Sequence, residues 1–295
     1  MLFLPLWVQA QESKVKLTIL QESQLYHQPV HITVRGLAAG QKVKLNLEAT
    51  DVRKHVWRSE AFYIADREGK IDLSTAPSVG GSYLGIHPMG LFWSMKCKDY
   101  HQITTSKGFN ASLSVHANGE LLTQKTIYRK STRELDKLGI TYEEKRDSIV
   151  ANFYLPQSEK QRPAIIFLGG SGGNFRSERT SLYASEGFAV LDLKYFKGEG
   201  LPSGIIEIPL EYVRKAHQWL KTQPGVDSTK IGIVGRSRGS ELAMLYATEY
   251  PVSFVISQVP SNVEWFGWED GKSSRTFQNK PYDNAEYTEA ASERI

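Results

Sequence analysis

Ile231-Gly232-Ile233-Val234-Gly235-Arg236-Ser237-Arg238-Gly239, followed by Glu241-Leu242-Ala243-Met244-Leu245-Tyr246-Ala247, decides how this chain is read. An apolar run passes through G-x-S-x-G into a helical pattern, and strand, turn, helix is the context that gives so short a motif meaning. The turn is sharp, so Gly235 and Gly239 stand where a side chain would collide with neighbouring backbone. Ser237 is thereby carried on the tip of an elbow, its hydroxyl toward a substrate and the positive end of the next helix beneath it. The alternative is a glycine-rich turn whose serine only caps the helix.

Upstream the same grammar continues. Ile149 to Leu155 reads as a strand, and Ala164-Ile165-Ile166-Phe167-Leu168 is a continuous apolar run, as a strand buried on both faces requires. A glycine-rich loop follows, then a helix over Arg179 to Glu186, a buried strand over Ala189 to Leu193, and a helix over Pro209 to Thr222. A last apolar strand covers Val252 to Ile256. Alternating strands and helices predict a parallel-type sheet with helices on both faces, an α/β-hydrolase domain over residues 143–295.

Residues 14–128 read differently. Lys14 to Leu20, Val30 to Arg35 and Val43 to Ala49 alternate with period two, which buries one face of a strand and wets the other. Turn signals such as Asp66-Arg67-Glu68-Gly69 and Asn118-Gly119 separate the runs, and a β-sandwich of immunoglobulin-like type is expected. Residues 129–142 are charged and lack a strand period, so they read as a linker or short helix. Residues 1–13 resemble the apolar core of a trimmed signal peptide with a Val8-Gln9-Ala10 cleavage site, though no Lys or Arg precedes them. That leans toward export to a periplasm or lumen; without such a signal the cytoplasm is expected.

Composition bounds the rest. The 295 residues, 40% hydrophobic and 23% charged with a net charge of +4, suit two globular domains and give nucleic-acid binding no support. The one cysteine, Cys97, reads as a buried or half-buried small apolar residue. No apolar run reaches the ~20 residues of a membrane span, and no metal cluster or cofactor signature occurs.

A serine hydroxyl needs a base, and acyl transfer needs donors for the oxyanion that forms. The donors are legible. Gly169-Gly170-Ser171-Gly172-Gly173 follows the buried strand, and the N–H of Ser171, or failing that of Gly170, can pair with the N–H of Arg238. The run lacks the lysine of a P-loop and the spacing of a dinucleotide fold. The base is not legible. In this fold class the acid and histidine follow the serine, yet all seven histidines (27, 31, 55, 87, 101, 116 and 217) precede Ser237. His217 lies on a helix expected outside the sheet, and Asp270 and Asp283 are weak acid candidates in a polar tail. The hydrolase domain reads as lacking its last strands.

These residues carry a resemblance. Pro29 to Leu37, Gly80-Gly81-Ser82-Tyr83 and Pro88-Met89-Gly90-Leu91-Phe92-Trp93-Ser94-Met95 resemble the N-terminal domain of the acyl-CoA thioesterase / bile acid-CoA:amino acid N-acyltransferase family. Pro163 to Leu168, Gly170 to Gly173, Glu186 to Val190 and Ile231 to Leu242 are similar to its hydrolase part. The resemblance implies hydrolysis of fatty acyl-CoA through an acyl-serine on Ser237, with acyl-CoA or another acyl ester as the partner. The family's amidating members use cysteine here, so serine favours hydrolysis over transfer to an amino acid. Arg236 and Arg238 flank the serine and either attract CoA phosphates or stand as solvated charges at a helix start. Trp265, Phe266 and Trp268 either line an acyl pocket or pack elsewhere. The competing readings are an exported carboxylester or lactone hydrolase, an N-acyltransferase, and an acyl-binding protein without a base.

Overall fold

The computed structural model describes residues 15–20, 23–100, 103, 108–131, 134–269 and 272–285. Contacts divide the chain into two compact units, Met1–Thr132 and Arg133–Ile295. The leader expected over 1–13 lies outside the described residues, as do His101 and Asp270.

Unit 1 holds β1 (Lys16–Leu20), β2 (Ser23–Leu25), β3 (His31–Arg35), β4 (Lys42–Thr50), β5 (Val56–Ile64), β6 (Ile71–Asp72), β7 (Gly80–Gly81), the short helix α1 (Gly90–Trp93), β8 (Gly108–Ala117) and β9 (Glu120–Lys130). They form a three-stranded sheet, β1-β3-β6, and a six-stranded sheet, β2-β9-β8-β4-β5-β7. The period-two alternation is realised on β4: Val43, Leu45, Leu47 and Ala49 are buried while Lys42, Glu48 and Thr50 are exposed. Those residues share one core with Ile32 and Val34 of the smaller sheet and with Tyr63, Leu113, Val115 and Ile127. Residues of the two sheets thus share one core.

The stretch expected to link the domains is largely structured. Arg129 and Lys130 end β9, a 3-10 turn covers Asp136–Leu138, and Ile140 opens the next strand. Charge misleads here because the Arg129 guanidinium is not solvated. It is fully buried, donates from Nη2 to the carbonyls of Leu25, Tyr26 and Gln28 at 2.8, 3.0 and 2.6 Å, and lies 5.0 Å from the Phe92 ring centroid.

Unit 2 is built on β10 (Ile140–Arg146), β11 (Val150–Pro156), β12 (Arg162–Leu168), α2 (Ser177–Ser185), β13 (Ala189–Lys194), β14 (Ile208–Pro209), α3 (Leu210–Lys221), β15 (Val226–Arg236), α4 (Arg238–Glu249), β16 (Val255–Gln258), β17 (Arg275–Phe277) and β18 (Lys280–Pro281). Its main sheet runs β10-β11-β13-β12-β15-β16. The expected parallel sheet is mixed: β13, β12, β15 and β16 run parallel, whereas β10 and β11 are antiparallel to their neighbours. The connections from β10 to β11 and from β11 to β12 are too short for a crossover of a dozen or more residues, so those strands must reverse direction. α3 and α4 cover one face, packing Leu210, Val213, Ala216, Leu242 and Tyr246 on Ile166, Leu191 and Ile233. α2 covers the other through Tyr183 and Ala184 on Phe167, Val190 and Val234. Burial on both faces explains the apolar run of β12 and, but for Asp192, that of β13.

Candidate active site

β15 ends at Arg236 and α4 starts at Arg238, so Ser237 alone makes the turn, at φ 52° and ψ −124°. Positive φ at a non-glycine residue is strained and persists only where neighbours over-determine it. The neighbours are visible. The Ser237 N–H donates to the Gln258 carbonyl at 2.9 Å, and its own carbonyl accepts from the Ser240 N–H at 2.7 Å. Ser240, fully buried, donates its hydroxyl within reach of the carbonyls of Gly235 (2.8 Å) and Gln258 (2.9 Å). Both glycines are obligatory. A Cβ on Gly235 would meet the Gly239 carbonyl oxygen at 2.2 Å, and one on Gly239 would meet those of Leu168 and Gly169 at 2.2 and 2.4 Å.

The glycine loop lies against this elbow. A Cβ on Gly170 would fall 3.2 Å from the Ser237 Cβ and 3.8 Å from its Oγ. Ser171 and Ser237 line one open cavity of about 320 Å³, with Arg238, Glu241, Trp265, Phe266 and Trp268 among its other walls. The loop is pinned at both ends: the Tyr195 hydroxyl donates to the Gly169 carbonyl at 2.7 Å, and the Arg176 N–H donates to Asp192 Oδ2 at 2.8 Å. Burial pushes the Asp192 carboxyl up to about 7, against the pull of that N–H and of the Thr180 hydroxyl. The sequence-predicted residues Gly170, Ser171, Gly235, Ser237, Arg238 and Gly239 therefore converge at the C-terminal edge of the sheet, where open α/β sheets present their ligand crevice.

Arg238 departs from expectation. Its guanidinium is neither solvated nor open to a phosphate: it lies 2.7 Å from Glu241 and donates to the carbonyls of Trp265 and Phe266 at 2.8 and 3.0 Å. The cause is the position of Glu241, one turn along α4, together with the 264–268 segment closing over both. Arg275, fully buried, donates to the Arg238 carbonyl at 3.0 Å and sits 3.6 Å from Glu264, whose carboxylate also accepts the Ser274 hydroxyl. Burial raises the Glu241 carboxyl even though Arg238 pulls it down. Sequence reading missed Glu264, Ser274 and Arg275, which sit in a polar stretch with no local sign of burial. Arg236 keeps its side chain half-buried, away from this network.

Within unit 2, no described histidine lies beside Ser237. His217 on α3 is buried, meets the Tyr246 hydroxyl at 2.9 Å through Nδ1, and is pushed down to about 4 by burial and then by Lys221. Tyr246 is nine residues beyond Ser237, about 13 Å along α4 at 1.5 Å per residue, so His217 belongs to the helix packing. Asp283 is exposed on the segment after β18. Among the described residues no three His, Cys, Asp or Glu side chains gather to hold a metal ion, and no helix is long and apolar enough to cross a membrane.

A mixed sheet with helices on both faces and a strained serine elbow at the end of a parallel strand is the architecture of an α/β-hydrolase domain. The chain belongs to the acyl-CoA thioesterase / bile acid-CoA:amino acid N-acyltransferase family. Residues 27–137 match the family's N-terminal region and residues 208–280 its C-terminal model. It is 32% identical over 243 residues to acyl-coenzyme A amino acid N-acyltransferase 1 of Mus musculus, covering 79% of this chain and 58% of that one. It is 32% identical over 231 residues to acyl-coenzyme A thioesterase 1 of Rattus norvegicus, covering 76% and 55%. The chain thus spans little more than half the length of these relatives. Among solved structures, an α/β hydrolase from a deep-sea metagenome library aligns at 20% identity and a TM-score of 0.34, over 41% of this chain and 57% of that one.

Proposed function

We propose that the protein is a serine thioester hydrolase acting on fatty acyl-CoA. Ser237 Oγ attacks the thioester carbonyl as a base takes its proton, the carbon–sulfur bond breaks to release the protonated thiol, and water then clears the acyl-serine. The N–H of Arg238 with that of Ser171, or of Gly170, receives the oxyanion, each donor worth about 3 kcal/mol in the transition state. Trp265, Phe266 and Trp268 form the apolar wall for the acyl chain. The observation that carries the reading is the approach of Gly170 to a strained, half-buried Ser237 on the rim of that cavity. The reading requires a base, and His217, held in the helix packing, does not supply it. The immunoglobulin-like β-sandwich expected for unit 1 is part of this proposal too, and the core shared by its two sheets supports it.

The test is hydrolysis of long-chain acyl-CoA by wild type and Ser237→Ala, with acyl-enzyme trapped on acid quench and located by mass spectrometry. The expected outcome is an adduct on Ser237 and a rate lowered by about 10³-fold or more in the variant. An unchanged rate overturns the proposal. The distance of His217 from the elbow favours one other reading, an acyl-binding protein without turnover; binding of acyl-CoA with no adduct and no hydrolysis identifies it.

A further inference from the structure

Val234 packs in the cluster that holds Tyr183 and Ala184 of α2. Side chains alternate along a strand, so Arg236, two residues on, lies on the same α2 side, one level nearer the C-terminal edge of the sheet. On α2, Arg179 stands four residues before Tyr183 and so one turn nearer that edge. Gln258, the register partner of Arg236, ties the two elements: Arg179 Nη1 donates to its Oε1 at 3.1 Å, and its Nε2 donates to the Tyr183 hydroxyl at 3.1 Å. Arg176 completes the group from the glycine loop. Its Nη2 lies 3.5 Å from where a Cβ on Gly172 would sit, and its Nε is out of solvent without a hydrogen bond.

All three arginines are half-buried, and none of their guanidinium groups pairs with a carboxylate among the described residues. Asp192 accepts the Arg176 backbone N–H and the Thr180 hydroxyl and feels the Arg176 charge without an ion pair, and Glu178, drawn by Arg179, is exposed. The Arg236 guanidinium is held below its usual range, first by burial and then by Arg179 and Arg176. Arginine cannot shed its charge at physiological pH, so three such groups repel one another until an anion shares them. Planar guanidinium forks bind carboxylate and phosphate oxygens bidentately, and three positive charges together suit the higher charge of a phosphate. The cavity with the aromatic wall is lined by Glu241 of α4; the arginines stand on the α2 side of the same elbow, and Arg236 is the immediate neighbour of Ser237.

We infer that Arg176, Arg179 and Arg236 form a binding site for a phosphate-class oxyanion beside Ser237. Two sources carry that chemistry: the phosphates of a thioester's leaving group, or a free phosphate or pyrophosphate. The inference deepens the acyl-transfer reading and takes from it only the substrates to compare.

One arm measures inorganic pyrophosphate binding to the full chain by calorimetry and needs no turnover. Wild type binds, Arg179→Gln and Arg236→Gln each weaken binding at least tenfold, and Arg179→Lys restores part of the loss. Circular dichroism melts confirm that each variant is folded. The second arm compares acyl-CoA with the same acyl group on N-acetylcysteamine, which has no phosphate. The ratio of kcat/KM values for the two falls at least tenfold in Arg179→Gln if the phosphate comes from the leaving group. If pyrophosphate binds and the ratio holds, the site stands and its ligand is free phosphate or pyrophosphate. Absent or equal pyrophosphate binding in wild type and both glutamine variants overturns the inference, whether or not any thioester is hydrolysed. Absence of turnover with binding intact refutes the acyl-transfer reading and leaves the site in place.

Discussion

Ser237 occupies a backbone conformation in which its Cβ is crowded, near the first central position of a II′ turn, where glycine dominates. Such strain costs about 1–3 kcal/mol and is held here by the Gln258 carbonyl and the Ser240 bonds. Ser237→Gly therefore melts higher than Ser237→Ala, by about 2–4 °C for a domain of this size, although both lack the hydroxyl. Equal melting of the two variants would show that no strain is stored at the elbow. The flanking glycines obey a different rule, close approach. Gly239→Ala drives a Cβ into two carbonyl oxygens of the neighbouring strand end, and a loss of more than about 4 kcal/mol in urea denaturation is expected, enough to unfold unit 2. Gly172→Ala meets only the end of the Arg176 side chain at 3.5 Å and has no positive φ; its cost stays within about 1 kcal/mol.

At the scale of the element, β13 shows how a strand sets the loop opposite the serine. Asp192, 2% exposed on that strand, accepts the N–H of Arg176 and so fixes where the glycine loop turns back into α2. Its carboxyl is raised by burial to about 7 from 3.8, so the folded state holds the proton more tightly than the unfolded chain. The contribution of this group is therefore most favourable below the unfolded value and is lost progressively as pH rises from about 4 to about 7, by up to about 4 kcal/mol. Asp192→Asn keeps an acceptor for Arg176 and removes the charge. Urea midpoints measured at pH 5 and pH 8 should show a smaller fall with pH in the variant than in wild type. Matching slopes would mean that Asp192 is ionised throughout. The same elements show what a sequence can and cannot tell. β12, β13 and the second half of β15 are legible because burial on both faces leaves a mostly apolar run, broken only by Asp192. The elbow is legible because its glycines answer a local steric demand. β10 is not: Glu143, Glu144, Lys145 and Arg146 make it look like a linker, and only pairing with β11 makes it a strand. Arg129, Arg238 and Arg275 mislead for a related reason. Their burial depends on carbonyls and carboxylates distant in sequence, and no local pattern records such partners.

Across the whole molecule, the strand edges are guarded unequally. β6 and β7 are two residues long, too short to template a partner, and β10 lines its edge with charged side chains. β16 has neither protection. It closes the described sheet on the side of β15, and its outer edge pairs with no strand among the described residues. Ile256 is 45% exposed on it and Val259, just beyond, 70% exposed. An apolar parallel edge of this kind invites a second chain, because free N–H and C=O groups and a hydrophobic strip coincide. The 295-residue chain is therefore expected to self-associate with increasing concentration in sedimentation velocity runs. Ile256→Lys places a charge on the strip without touching the apolar cores on either face of the sheet, since the side chain is 45% exposed. Association should weaken about tenfold, with the melting temperature unchanged. Association that persists at wild-type strength would mean that the contact between copies lies elsewhere, on a surface to which β16 contributes nothing.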